Sequence, residues 1–272
     1  AAKQGVILYF SDRLSKRNTE KKGHFDKRTY SGHFLELLDR IGFLELVPYG
    51  VVLLIIAGLL LLQPHLSATI LILAIGASIL FAAGIRLGWF VAGGALMTAA
   101  LWLVINTTDY MADRIAIWQN PWTDTQGDGY QIVQSLYAIG SGGLLGLGLG
   151  NSRQKFLYLP ELQNDYVFPI VCEELGFIGA AMILLLFALL IIRGYWLALH
   201  ARDRFGALLI VGITTQVAVQ VFLNIGVVTN LIPPTGISLP FFSYGGTALV
   251  IQLVEMGIVL SVSRQIPAPK AG

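Results

Sequence analysis

Val167-Phe-Pro-Ile-Val-Cys-Glu-Glu-Leu-Gly-Phe-Ile-Gly-Ala-Ala-Met-Ile-Leu-Leu-Leu-Phe-Ala-Leu-Leu-Ile-Ile192 carries only two charges, Glu173 and Glu174, both in its first third. A helix of about 20 apolar residues crosses the hydrocarbon core of a bilayer. This stretch therefore predicts a membrane-spanning helix. The same test picks out Phe43–Leu62, Ser67–Ala83, Leu87–Ile105, Ala207–Leu231 and Tyr244–Val262. Six spans are expected, in an all-α polytopic membrane protein. The composition agrees, with 55% hydrophobic and 12% charged residues and a mean hydropathy of +0.70, far from a soluble domain. Gly5–Phe10 is apolar but too short to cross. With no Met and no charged leader before it, it reads as the tail of a helix that starts upstream, so the chain is expected to be the C-terminal portion of a longer protein. A short interfacial helix is the alternative. One integral membrane domain is expected over residues 1–272, with no internal repeat. Small residues in Ala92-Gly93-Gly94-Ala95 and Gly179-Ala180-Ala181 suit close helix packing.

Lys and Arg set the orientation. Alternating the six spans places fourteen of the 18 cations on one side, in 11–42, at Arg86, in 193–206 and after Ser263. Arg114, Arg153 and Lys155 fall on the other, and Lys3 lies at the chain start. The basic side is expected to be cytoplasmic, as is the C-terminus. The long segment 107–165 is expected to face outward. The net charge of +2 is thus a topology signal and does not call for nucleic acid. The cluster Lys16–Arg28 fits the same reading, or contact with anionic lipid. Cys172, the single cysteine, has no disulfide partner and reads as a small buried hydrophobe.

Inside the spans Glu255 is the clearest ionisable group. An intramembrane carboxylate marks function by default, although a hydrogen-bonded packing residue is an equal reading. Gln216, Gln220, Asn224 and Gln252 are its candidate partners. Glu45 reads as interfacial. Outward, His65 lies in the turn 63–67, more a polar turn residue than a catalyst. The polar stretch 106–128 brings Trp118, Trp122 and the following Tyr130, suited to a membrane interface. Gly129–Ile139 predicts a short amphipathic surface helix. Gly140–Gly150 holds six glycines in eleven residues. Without a preceding strand it is no nucleotide loop; close backbone packing or a bent, substrate-lining loop fits better.

Arg153 and Lys155 follow directly. Paired cations beside exposed amides suit a diphosphate, with contact to an anionic lipid headgroup as the alternative. Asp165 stands where the next span begins. It can cap that helix, accept a proton from a sugar hydroxyl, or hold a divalent cation. Glu173, eight positions on, falls within about 80° of the same helical face, and either it or Glu174 can line the same cavity. Finally, the prolines and glycines of 230–246 forbid continuous helix. Non-helical backbone at that depth must be covered by protein or line a watery cavity.

Gly127-Asp-Gly-Tyr-Gln131, Gln134-Ser135, Ala138-Ile-Gly-Ser-Gly-Gly143, Gly148-Leu-Gly-Asn-Ser-Arg-Gln-Lys155, Leu159-Pro-Glu161, Asn164-Asp165, Glu173-Glu-Leu-Gly176, Pro234-Thr-Gly236 and Ser243-Tyr-Gly-Gly246 stand in order. Together they resemble the SEDS family of bacterial peptidoglycan glycosyltransferases. The run 152–155 looks closer to the FtsW and SpoVE branch than to RodA. The family has further spans before these, and the first three and part of the fourth are expected to be missing here. His65 stands where the family commonly has Asp, Tyr166 where it has Phe, and Asn230 where it has Gly; the first puts any role for that carboxylate in doubt.

The resemblance implies polymerisation of lipid II into glycan strands at the outer face of the cytoplasmic membrane, in division or sporulation. It implies Asp165 as catalytic base, and Arg153 and Lys155, with Gln154, Glu161 and Ser243 in the matching motifs, as substrate contacts. Glu173, Glu174 and Glu255 are possible cavity groups. A Mg²⁺ or Mn²⁺ ion is expected to assist, with no organic cofactor and no ligand set evident. The implied partners are a class B penicillin-binding protein (a transpeptidase) and other divisome or sporulation membrane proteins. Two other classes compete: a lipid II flippase, for which Glu255, Gln220 and Asn224 offer a thin polar path, and a non-catalytic division scaffold.

Overall fold

The computed structural model describes residues 2–16, 43–63, 66–107, 109–125, 127, 129–152 and 164–266. Nine α-helices and one 3₁₀ turn occur among the described residues: α1 (Ala2–Ser15), α2 (Phe43–Leu62), α3 (Leu66–Ala82), α4 (Leu87–Thr107), α5 (Asp109–Gln119), the 3₁₀ turn Pro121–Asp124, α6 (Tyr130–Ser141), α7 (Val167–His200), α8 (Arg204–Val228) and α9 (Gly246–Ser263). All six apolar runs are helical. Three, α7, α8 and α9, are long and apolar enough to cross a membrane, and α2, α3 and α4 contribute shorter apolar stretches. The chain is a helical membrane protein. At about 1.5 Å per residue, the 34 residues of α7 exceed a hydrocarbon core of roughly 30 Å, so part of α7 stands outside it.

The chain divides into two compact units, one of residues 1–94, 195–215 and 261–272, the other of 95–194 and 216–260. In the first, α1 and α2 both pack on α3. Val6, Ile7, Phe10 and Leu14 of α1 are all buried, and Phe10 meets Tyr49 edge-on at 5.1 Å. The short apolar run of the N-terminus therefore spends its hydrophobic face on α3. The Arg204 guanidinium donates to the Ala83 carbonyl at 3.0 Å, satisfying an end that helix geometry leaves open.

The second unit has its core around Tyr166, Phe168, Cys172, Phe187, Val217, Val221, Val228 and Leu239. Cys172 is buried there, as its apolar surroundings suggested. Two features depart from the sequence reading. The first is α5, where only a polar loop was expected. Arg114, Ile115, Ile117 and Trp118 are half-buried while Asp113, Ala116 and Gln119 are exposed, a helical period interrupted in the sequence by the charges Asp109, Asp113 and Arg114. The second is a break in α7. Gly176 has φ 67 and ψ −171, so the expected continuous span is two helical pieces.

The glycine run explains that break. Leu147 N donates to Glu173 O and Gly148 N to Glu174 O, both at 3.0 Å; Phe177 N donates to Gly143 O at 2.8 Å and Ile178 N to Leu144 O at 3.2 Å. The backbone of 143–148 thus supplies partners on both sides of the interruption. Broken helices are tolerated in lipid only when the freed groups are satisfied in this way. A Cβ on Gly146 would lie 2.2 Å from Glu174 O, and one on Gly176 2.3 Å from Gly146 N. Two bare backbones touch there, and side chains would part them.

Helix α8 ends at Val228, and the chain turns away at Asn230, in the left-handed region at φ 57, with Leu231 N returning to Gly226 O at 2.8 Å. Asn ranks after Gly at this C-terminal position, which accounts for Asn230 where the resembling family has Gly.

Candidate active site

Residues 231–245 are non-helical, as their prolines and glycines require. With few backbone partners available, side chains hold the segment. Asn224 donates through Nδ2 to Ile237 O at 2.7 Å and to Asp165 O at 2.8 Å. Arg114 Nη1 donates to Pro234 O at 2.6 Å. Trp118 Nε1 donates to Asn230 O at 3.1 Å, and Asn230 Nδ2 returns to Trp118 O at 3.2 Å. Phe241 N donates to Gln252 Oε1 at 2.9 Å. Ser243 Oγ accepts from Leu239 N at 2.7 Å, while Ser243 N donates to Leu239 O at 3.1 Å. Ser243, expected to touch substrate, ties the loop to itself.

Asp165 sits at the lip of this arrangement. It precedes α7, is half-buried, and its Oδ2 lies 3.3 Å from where a Cβ on the exposed Gly236 would stand. The carboxylate thus meets the loop at an exposed glycine. Burial pushes the Tyr166 hydroxyl up to about 12, the Asp165 charge adds to the rise, and Arg114 draws it back. Tyr166 is therefore a neutral hydroxyl at physiological pH. One cation, Arg114, and one carboxylate, Asp165, both act on it.

Glu173 and Glu174 take other partners. Ser152 Oγ donates to Glu173 Oε2, a carboxylate only 1% exposed, and Ser152 N approaches Glu174 Oε1 at 3.4 Å. The two acids fasten the end of the glycine run. Asp165 lies outside the helix, so the expected helical phasing between it and Glu173 does not apply. Arg153, Gln154, Lys155 and Glu161 lie outside the described residues, as does His65. Arg114 is the group that sequence reasoning passed over. It had been counted only as a topology charge, and the signal that finds it is its place on α5, a helix not expected.

Glu255 is buried, and Gln216 Nε2 donates to both its oxygens, at 3.0 and 2.9 Å. Of the partners expected for it, Gln216 is confirmed, whereas Asn224 and Gln252 serve the loop. Gln216→Leu removes a donor from a buried carboxylate, which costs about 1.5–3 kcal/mol for bonds to a charged group. A lower melting temperature in detergent is expected, largely restored when Glu255→Gln is added. Equal melting of Gln216→Leu and wild type would show that the pair carries no stability.

Among the described residues no three His, Cys, Asp or Glu side chains gather to hold a metal ion. The divalent cation implied by the resemblance finds no ligand set there.

The FtsW/RodA/SpoVE family model, described as "cell cycle protein", matches residues 3–267. The chain belongs to the SEDS family. Within that family it is 48% identical over 206 residues to stage V sporulation protein E of Bacillus subtilis, covering 76% of this chain and 56% of that one. It is 40% identical over 230 residues to a probable peptidoglycan glycosyltransferase FtsW of Geobacter sulfurreducens, covering 84% and 62%. The chain thus spans about three-fifths of the length of these SEDS relatives. A solved chain from work on polymerization and crosslinking by a peptidoglycan synthase complex superposes with a TM-score of 0.70 at 28% identity, covering 98% of this chain and 69% of that one. Rod shape determining protein RodA of Thermus thermophilus, solved as an Asp-to-Ala mutant, gives 0.58 at 25%, covering 98% and 65%. The similarity to SpoVE and FtsW places the chain on the branch its 152–155 run suggested.

Proposed function

We propose that this SEDS protein polymerises lipid II into glycan strands at the outer face of the bacterial cytoplasmic membrane, in division or sporulation. The observation that carries the reading is the Asp165 carboxylate at the exposed Gly236 turn, between α7 and a loop fastened by Asn224 and Arg114. The names of its FtsW relatives point the same way.

Asp165 takes the proton from the acceptor's 4-hydroxyl as that oxygen attacks the donor's anomeric carbon. The bond from that carbon to the lipid diphosphate breaks, and the configuration inverts. Arg153 and Lys155 neutralise the departing diphosphate, where fixed positive charge has most effect, while Gln154, Glu161 and Ser243 contact other parts of the substrate. Segment 107–165 faces outward and 11–42 faces the cytoplasm, on the strength of the cation asymmetry. The six apolar helices each cross the membrane. The partner is a class B penicillin-binding protein, consistent with the synthase complex whose chain superposes on this one.

The buried Glu255–Gln216 pair is the one observation that favours transport instead. Two assays separate the readings: glycan synthesis from purified lipid II with the transpeptidase present, and lipid II translocation in vesicles. The polymerase reading expects strands from wild type and from Glu255→Gln. Translocation that is lost in Glu255→Gln, with no strands from either protein, would overturn it in favour of a flippase. A folded protein with neither activity would be a scaffold.

A further inference from the structure

Pro233 and Pro234 lack N–H groups, so beyond Ile232, whose N–H still returns to Gly226 O, these two residues offer only carbonyls as anchoring points. Arg114 anchors Pro234 O with a 2.6 Å bond, charge-assisted and therefore stronger than a neutral one. One helical turn on, Trp118 exchanges two hydrogen bonds with Asn230, so two consecutive turns on one face of α5 grip both ends of segment 230–234. From α8, Asn224 ties Ile237 O to Asp165 O. Gly236 lies between the two attachments and faces Asp165 Oδ2.

We propose that Arg114 is a positioning residue for Asp165: its guanidinium holds the Pro234–Gly236 turn over the carboxylate from one side while Asn224 holds it from the other. The inference rests on the reading of Asp165 as the polymerase base. Arg114 and Asp165 both lie close enough to act on the Tyr166 hydroxyl, in the opposite directions their charges require. Arg114 fixes where the acceptor sugar can approach, and it takes no part in bond making.

The experiment uses the full chain with its transpeptidase partner in nanodiscs, labelled lipid II, and the variants Arg114→Gln and Arg114→Lys. Hydrogen–deuterium exchange over residues 235–243 reads the turn directly, and polymerisation kinetics read the site. Arg114→Gln is expected to raise exchange in that segment and to lower kcat by about tenfold or more, the scale of one charge-assisted hydrogen bond, with little change in KM. Exchange in Arg204–Val228 stays as in wild type. Arg114→Lys, which keeps the charge but not the planar fork, falls between. Unchanged exchange in Arg114→Gln overturns the proposal, as does a rise in KM at constant kcat, which would mean direct substrate binding. If Arg114→Gln does not fold, wild-type exchange and kcat in Arg114→Lys overturn it instead. A wild type that makes no strands would sink the polymerase reading alone, because the exchange data still decide whether Arg114 holds the turn.

Discussion

Asp165→Ala is expected to reduce glycan polymerisation by about 10²–10⁴-fold, the usual contribution of one general base, while the protein stays folded. The second half of that expectation comes from how residue 165 is held. Asn224 grips its main-chain carbonyl at 2.8 Å, a contact that survives loss of the side chain, and α7 begins at Val167. Asp165→Asn keeps shape and volume but cannot take a proton at neutral pH, so it should lose nearly as much rate. Lipid II polymerisation and thermal melting, measured on the same preparations, check both halves. Normal strand synthesis by either variant ends the assignment. A large fall in melting temperature with the loss of rate would mean that the carboxylate serves as a helix cap.

Gly176→Ala is expected to be among the most destabilising single-methyl changes in the chain. At φ 67 a residue with a side chain pays for a sparsely allowed conformation, about 1–3 kcal/mol. The new Cβ would also lie 2.3 Å from Gly146 N and 2.6 Å from Leu144 O. Both are backbone atoms and cannot swing aside. Relieving the contact pulls 143–148 away from Glu173, Glu174, Phe177 and Ile178 and loosens four hydrogen bonds, each with a net value of about 0.5–1.5 kcal/mol. A loss above about 3 kcal/mol lowers melting by roughly 6–12 °C in a chain of this size. Gly94→Ala, where a Cβ meets nothing within 4 Å, is the control and should melt as wild type. If the two variants melt alike, the backbone contact is not what holds the break.

The spans were legible because apolar length alone identifies them, and α2 begins and ends at the residues its run predicted, Phe43 and Leu62. Where a span ends was less so. Helix α7 continues past Arg193 to His200, since an amphipathic continuation can leave the lipid and stay helical. The glycine run declared close packing but not its object, because backbone-to-backbone contact leaves no side-chain pattern. The Gly176 break was hidden for the same reason: Leu175-Gly176-Phe177 reads as ordinary apolar helix. Asn230 and the prolines after it were readable as an end to α8. Asp165 drew notice from its place before a span and its setting in a motif, whereas Arg114 was passed over because the charges Asp109, Asp113 and Arg114 break up the apolar pattern of α5. What the sequence could not contain was the division of labour among the amides, in which Gln216 serves Glu255 and Asn224 serves Asp165 and the loop.

The docking of 143–148 into the break of α7 also sets an order of events during synthesis. The glycine run leaves the ribosome before Val167–His200 does, so the groups that satisfy Glu173, Glu174, Phe177 and Ile178 already exist when that helix is delivered to the bilayer. Before they meet, the break in α7 offers lipid two unmet carbonyls on one side of Gly176 and two unmet amides on the other, each costly in hydrocarbon. The helix therefore cannot settle early, and its final insertion waits on a segment made a few seconds before it at ordinary elongation rates of about 5–20 residues per second. A substitution that delays the loop would be felt as a failure of biogenesis, with the half-inserted chain exposed to membrane proteases, even where the finished protein tolerates it.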